Sequence, residues 1–462
     1  MPPPLPSLSY KDPDGFVISI NGVIYRLINQ SYKNNYNTFI TSGLYKELSE
    51  TKMLLKHEEI DPTEINLQTN KKVFKVLKPE LIPFISYPYE WSFTQLKNAA
   101  LLTLNIQLKA LEKNMWLKDA NCYNVQFNGA DAIFIDTSSF ENYEENAPWP
   151  AYGQFCRHFL GPLLLHAYGK KELCSLSMSY PDGIPLQVIS YSLPQKTKFS
   201  FFILSHIHYH AKLEKRYNHD ESFKKKKLQI SKSRVTALVH HLKNGIENLQ
   251  FNNRHSEWSH YYKTFSYSKE NFIQKQNVIV SFIESIKPST LLDLGCNEGE
   301  FSILCSKKVN HIVAVDSDAV VINNLALKLT QMKITNVLPL VVNIAHPSPG
   351  IGILNNELSS FTSRANFDVI LALALVHHLA IGNNIPFELM AKQFAQLSSQ
   401  LIIEFVPKED PQAQKLLITK KDVFIDYNIE NFISSFNLFY FIKEQQQLNN
   451  SGRILFLMQA HA

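Results

Sequence analysis

The stretch Thr290–Asp318, TLLDLGCNEGEFSILCSKKVNHIVAVDSD, leaves this chain few folds to choose from. Leu291–Leu294 is a short apolar run that ends in a turn, Gly295–Gly299. An amphipathic segment, Glu300–Lys308, follows, and a second apolar run, Ile312–Val315, closes on Asp316. The pattern is strand, glycine turn, helix, strand, with a carboxylate at the tip of the second strand. Such units bind nucleotide-like ligands at the carboxyl ends of parallel strands: glycine lets the backbone approach the ligand, and the carboxylate accepts from ribose hydroxyls. Asp293 and Asp316 stand 23 positions apart, which suits that division of labour. A dinucleotide turn, G-x-G-x-x-G, would need glycine two places after Gly295, where Asn297 stands. With only 15 glycines in 462 residues, two at the required turn positions carry information.

The turn resembles motif I of class I S-adenosylmethionine-dependent methyltransferases, D-x-G-x-G-x-G, with Asn297 in place of the middle glycine. The segments after it keep the alternation of strand and helix that builds a doubly wound sheet. A helix is expected over Ala319–Met332, a strand over Val337–Val342, a fourth strand over Phe367–Ala374, a helix over Phe387–Leu397 and a fifth strand over Leu401–Phe405. Asn437–Ile442 and Arg453–Met458 complete seven strands as an antiparallel pair.

DLGCNEG (293–299), PSPGIG (347–352), ALALVHHLAIGNNIP (372–386) and IIEFVPKEDPQ (402–412) resemble the nodulation-protein-like methyltransferases. That resemblance implies S-adenosylmethionine as cofactor. Asp293, Gly295, Asn297 and Gly299 would line its methionine and ribose side, and Asp316 would take the ribose hydroxyls. Ser317 and Asp318 would lie by the adenine, Asn343 would accept from the adenine amine, and Ala372 would open the segment facing the transferred methyl. Methyl transfer to oxygen requires a proton to leave, and histidine can take it near neutral pH. His377 and His378 are the candidate catalytic residues. Glu404, with Lys408, Glu409 and Asp410 after it, is a weaker candidate from the same rim. No [DN]-P-P-[YFW] follows the fourth strand and no proline–cysteine pair occurs there, which argues against planar-nitrogen and pyrimidine-carbon acceptors.

A second constellation stands upstream. In LKDANCYNVQFNGADAIFIDTSSF, Asp119, Asn124 five residues on, and Asp136 twelve further reproduce the spacing of protein-kinase-like catalytic loops. Asn21-Gly22 inside Phe16–Leu27 predicts a hairpin. Gly43–Glu59 reads as a helix, Val73–Leu77 and Leu81–Ser86 as extended segments, and Phe93–Asn114 as the first long helix. No glycine-rich phosphate loop precedes them, and Lys75 and Lys78 are the candidate phosphate lysines. The region reads as a degenerate, kinase-like fold. Trp149–Tyr168 is helical with a break at Gly161-Pro162. Lys198–Tyr217 is a helix on which His206, His208 and His210 spread rather than converge, so no metal site is expected.

Lys212–Arg234 holds nine basic and three acidic residues, a net +6 that exceeds the +5 of the whole chain. A solvated linker is the expected reading and RNA contact the alternative. Val235–Leu249 reads as a connecting helix. The expected architecture is therefore α/β. A kinase-like α+β domain (1–215) is followed by a basic linker and connecting helix (216–254), then by a Rossmann-like seven-stranded methyltransferase domain (255–462). Trp258, Tyr261, Tyr262 and Tyr267, with Lys275 beyond, stand where class I methyltransferases often have helices that cap the cofactor.

Five cysteines without a C-x-x-C pair argue against a zinc ribbon or disulfide framework. The absence of a leader pattern or a run of roughly 20 apolar residues points to a cytoplasmic protein without a membrane span. The expected activity is methyl transfer to an oxygen of a small-molecule or glycan-like acceptor. An RNA methyltransferase and a non-catalytic nucleotide- or partner-binding protein are the alternatives.

Overall fold

The computed structural model describes residues 12–62, 64–65, 72–219, 229–252, 269–418, 423–449 and 451–461. The chain forms two compact units, one of 1–89, 93–127 and 132–252, the other of 90–92, 128–131 and 253–462. The Trp258–Tyr267 aromatics lie outside the described residues, as do residues 220–228 of the basic run, Lys224–Lys227 among them.

The first unit opens with a hairpin of β1 (Gly15–Ile20) and β2 (Val23–Asn29). Asn21 and Gly22 both hold positive φ, the geometry that suits a two-residue turn to the twist of its strands. Strands β3 (His57–Ile60) and β4 (Val73–Pro79) complete an antiparallel sheet of order β1-β2-β4-β3. Two helices, Lys33–Thr41 and Leu44–Glu50, precede β3. The single helix expected over Gly43–Glu59 is thus cut short, and Glu58 and Glu59 belong to a strand. Leu81–Ser86, expected to be extended, forms no strand. Helix Phe93–Glu112 buries Leu96, Ala100, Leu104 and Leu111 on one stripe. The short strands β5 (Met115–Leu117), β6 (Val125–Asn128), β7 (Asp131–Phe134) and β8 (Phe140–Asn142) follow, pairing as β5-β8 and β6-β7. The helical run Tyr152–Ala167 is not broken at Gly161-Pro162; it widens into a π-turn at Cys156–Leu160, just before Pro162 removes a donor. Helix Lys232–Glu247, the expected connector, packs along Phe93–Glu112 inside this unit and buries Val235, Val239, Leu242 and Ile246.

The second unit is built on a seven-stranded sheet: β9 (Thr290–Leu294), β10 (His311–Asp316), β11 (Val337–Val341), β12 (Phe367–Ala372), β13 (Ser398–Phe405), β14 (Tyr440–Gln447) and β15 (Ile454–Ala460). The order is β11-β10-β9-β12-β13-β15-β14. The first five neighbours run parallel, while β15 runs antiparallel to both β13 and β14. Central strands read as continuous apolar runs because helices cover both faces: Leu291, Leu292, Val369, Ile370, Leu401 and Ile402 are all fully buried. Chain order reverses between β9 and β12, and the crevice at their carboxyl ends is where an open sheet of this type binds ligand. No helix among the described residues is long and apolar enough to cross a membrane.

Candidate cofactor and methyl-transfer site

A cavity of about 300 Å³ opens at that crevice. Its floor is the turn after β9. Gly295 takes φ +70°, and a Cβ there would stand 3.1 Å from the Leu375 side chain, so the position needs glycine for both conformation and space. Asn297 takes φ +50°. Among residues other than glycine, asparagine enters the left-handed region most readily, because its short polar side chain bonds locally. Here its Oδ1 accepts from the Glu298 N–H at 2.7 Å. The motif's middle glycine is therefore replaced without changing the course of the backbone.

Asp316 ties this floor to the second strand. Its Oδ2 accepts from the Asn297 N–H at 3.0 Å and its Oδ1 from the Asp318 N–H at 2.9 Å. Burial pushes its carboxyl up to about 6, against the lowering effect of those two N–H groups. Asp293 accepts from the Ser302 hydroxyl at 2.5 Å, and burial raises its carboxyl to about 7. Both carboxylates line the cavity with Gly295, Asn297, Ser317 and Asn343. A ligand carrying hydroxyl donors and positive charge fits such a lining, since it restores to both carboxylates what burial took away.

Four expected site residues stand outside the lining. Gly299 starts helix Glu300–Cys305 at φ +75°, where a Cβ would collide with Leu325. Asp318 caps helix Ala319–Met332 by accepting from the Val320 N–H. Ala372 lies within the sheet, paired with Leu294 and Ile403. The wall it was expected to open comes from Leu373, Ala374 and Leu375, because the chain turns only at Ala374, which holds φ +50°. His377 is fully buried, and neither ring nitrogen has a hydrogen-bond partner among the described residues.

His378 is the imidazole that lines the cavity. Burial, with the Arg453 charge nearby, lowers it to about 4, which favours the neutral ring at physiological pH.

Lys275 completes the wall, with Glu404 beneath it. Lys275, on helix Lys269–Ile286, is the only lysine or arginine in the lining among the described residues. Its ammonium sits 5.0 Å over the Phe301 ring and 2.6 Å from Glu404 Oε2. Glu404 Oε2 also accepts from the Ala374 N–H at 2.8 Å, and Glu404 Oε1 lies 3.3 Å from Arg453. Arg453 reaches Asp410 with two nitrogens, at 2.7 and 3.0 Å. Glu404 and Asp410, expected as rim candidates, instead belong to a buried ion network under the wall.

In the first unit the structure brings Asp119, Asn124 and Asp136 to one neighbourhood. The Asn124 amide donates to Ser139 Oγ, which in turn donates to Asp136 Oδ2. Asp136 is also paired with Arg26 of β2 and accepts from the Ser138 hydroxyl and N–H. Burial alone would raise the Asp136 carboxyl; the Arg26 guanidinium and the serines bring it below the usual carboxylate range. Asp119 accepts from the Asn121 N–H, and its carboxyl is pushed up by burial and by Asp136. Lys75 pairs with Glu59, half exposed. Of the three histidines expected to spread, His208 turns away to Ser190 and Thr197, whereas His206 and His210 both meet Tyr152, the first at its hydroxyl while also bonded to His241, the second on its ring.

A seven-stranded sheet of this order, with its glycine turn, acidic strand tip and crevice at the point of reversal, defines the second unit as a class I S-adenosylmethionine-dependent methyltransferase domain. Residues 258–348 match the family model "Tellurite resistance protein TehB". Along 456 residues the chain is 30% identical to nodulation protein NoeA of Rhizobium meliloti (strain 1021), covering 98% of this chain and 95% of that protein. The chain belongs to the NoeA family. It is also similar to the Drosophila melanogaster U6 snRNA methylphosphate capping enzyme Amus, at 26% identity over 176 residues, 34% of this chain and 55% of that one. The bifunctional kinase-methyltransferase WbdD is similar at 18% identity over 40% of this chain and 39% of its own, with a TM-score of 0.30.

Proposed function

We propose that the second unit transfers a methyl group from S-adenosylmethionine to an oxygen of a small-molecule or glycan-like acceptor, with His378 taking the acceptor's proton. Bound S-adenosylmethionine supplies an electrophilic methyl on a sulfonium. The residues of the chain bind, orient and exclude water around it. Asp316 and the turn Gly295–Asn297 would hold the ribose side, and Asn343 the adenine amine. In-line displacement gains chiefly from such positioning.

The single observation that carries the oxygen reading is the neutral His378 imidazole in the cavity wall. A hydroxyl acceptor must lose a proton as its oxygen attacks, and a neutral ring within reach can receive it. The wall residues Ala374 and Leu375 offer no carboxamide–proline arrangement of the sort that grips a planar nitrogen.

The test uses methyl-labelled S-adenosylmethionine with panels of saccharide, phenol, carboxylate and amine acceptors. The expected result is labelling of a hydroxyl or carboxylate class. For a hydroxyl acceptor, His378→Gln should bind cofactor normally but lose about 100-fold or more in transfer. Labelling confined to amines, untouched by His378→Gln, overturns the oxygen assignment.

A second reading, an RNA acceptor, is favoured by the similarity to the U6 snRNA enzyme and by the basic run Lys212–Arg234. It requires RNA binding that weakens steeply with salt and with neutralisation of Lys224–Lys227, which lie outside the described residues.

A further inference from the structure

In the first unit, helical segments from Phe201 to His219 run without interruption and are turned inside out with respect to polarity. The side facing the core carries His206 and His208 with Ile203, Ile207 and Ala211, the two imidazoles satisfied by Tyr152, His241, Ser190 and Thr197. The side facing outward carries Phe201 (74% exposed), Leu204 and Tyr209. The segment just before it adds Phe199 (92% exposed) and Tyr191 (88% exposed). Isolated apolar side chains on a surface are ordinary; five large ones within 19 residues of sequence, beside buried histidines, are not.

The charges on the same stretch have one sign. Lys196, Lys198, Lys212 and Lys215 are exposed. The one acid between residues 191 and 216, Glu214, is partly buried and engaged by Arg157. Aromatic rings and lysines together, with no exposed carboxylate between residues 191 and 216, suit an interface where rings sink to headgroup depth and ammonium groups meet anionic phosphates. We propose that this face of the first unit docks on an anionic lipid surface, as a peripheral contact. A polyanion alone would account for the lysines but would leave Phe199 and Phe201 in water. A protein partner would ordinarily bring acids to the lysines and an apolar face to the rings, and a second copy of this face would set lysine against lysine.

Flotation of the full-length protein with phosphatidylcholine vesicles, with and without 30% phosphatidylglycerol, tests this. The wild type should float with the anionic vesicles only, and less so as salt rises. Phe199→Ser/Phe201→Ser should lower that partitioning by about tenfold or more with an unchanged thermal melt, since both rings are already in solvent. Lys196→Glu/Lys198→Glu should lower it comparably, and serves if the first variant misfolds. Failure of the wild type to float overturns the proposal, as does equal flotation of wild type and both variants. A solution dimer that Phe199→Ser/Phe201→Ser dissociates, without vesicle binding by the wild type, assigns the face to a second copy instead.

Discussion

Replacing Glu404 by alanine should destabilise the second unit by an amount the structure allows us to work out. The carboxylate is fully buried and serves three donors: the Lys275 ammonium, the Arg453 guanidinium and the Ala374 N–H. Arg453 keeps its two bonds to Asp410 when Glu404 is removed, so the group that loses its ion-pair carboxylate is Lys275, itself only 3% exposed. Removing one partner of a buried ion pair costs about 3–5 kcal/mol. An orphaned backbone N–H adds about 1–3 kcal/mol unless water reaches it. Because Lys275 and Ala374 both border the cavity, water can enter, and a total of about 3–5 kcal/mol is the expectation. For a unit near 200 residues that corresponds to a fall of roughly 6–20 °C in melting temperature. Scanning calorimetry is the assay, with the second unit's transition recognised by its rise when S-adenosylmethionine is added. The double variant Glu404→Ala/Lys275→Met should recover part of the loss, since it also removes the buried charge whose carboxylate has gone. A Glu404→Ala transition within about 2 °C of wild type, or no recovery in the double variant, would refute the network reasoning.

Cofactor affinity should depend on pH with a definite sign. Asp316 and Asp293 are raised to about 6 and about 7 in the free protein, and a ligand with ribose hydroxyls and a sulfonium favours their charged forms. Binding should therefore strengthen as pH rises from 5 to 8 and weaken as it falls through 7 and 6; titration calorimetry giving a flat profile contradicts this. Asp316→Ala removes both the acceptor and the tie to Asn297, and should weaken S-adenosylmethionine by about 100-fold, read by the same method. Among the described residues Lys275 is the only ammonium or guanidinium in the lining, so Lys275→Met should weaken S-adenosylhomocysteine, which has a carboxylate, by about tenfold, while leaving 5′-methylthioadenosine, which has none, unchanged. Equal losses for both ligands would assign Lys275 to packing alone. Because Arg26, Ser138 and Ser139 already occupy the Asp136 carboxylate, Mg²⁺·ATP should not shift the melting of the first unit; a rise of several degrees at millimolar ligand would contradict that.

The second unit was legible because its signals are local. Apolar runs bounded by Gly, Asn and Pro located all seven strands, and Ala319–Met332 and Phe387–Leu397 emerged with their observed ends, one capped by Asp318 and the other preceded by Pro386. The first of the two last strands was placed three residues early, since Asn437-Leu438-Phe439 is apolar enough to read as extended yet closes a helix end. In the first unit, Lys33–Thr41 is polar, with several residues of low helix propensity, and forms because Tyr36 and Phe39 are buried against the rest of the unit. The histidine pair could be located but not resolved. Neighbours in a helical turn point about 100° apart, and which of them faces a cavity depends on where the chain turns. Here that turn is at Ala374, whose N–H donates to the Glu404 carboxylate 30 positions away.

Lys275, expected only beyond the cofactor-capping aromatics, and Arg26, not expected in a site at all, carry no local motif, and each acquires its role from a carboxylate brought to it by the fold. The two cases then diverge in chemistry. Lys275 shares Glu404 with a backbone N–H and still borders open space, so its ammonium remains placed to meet a ligand. Arg26 is paired with Asp136 in a buried site where two serines also donate to that carboxylate. A carboxylate can receive about four donors, and here the chain itself supplies them. The spacing Asp119, Asn124, Asp136 therefore records a fold, whereas the chemistry belongs to whichever group reaches the carboxylate first, and in the first unit that group is a guanidinium from the same chain.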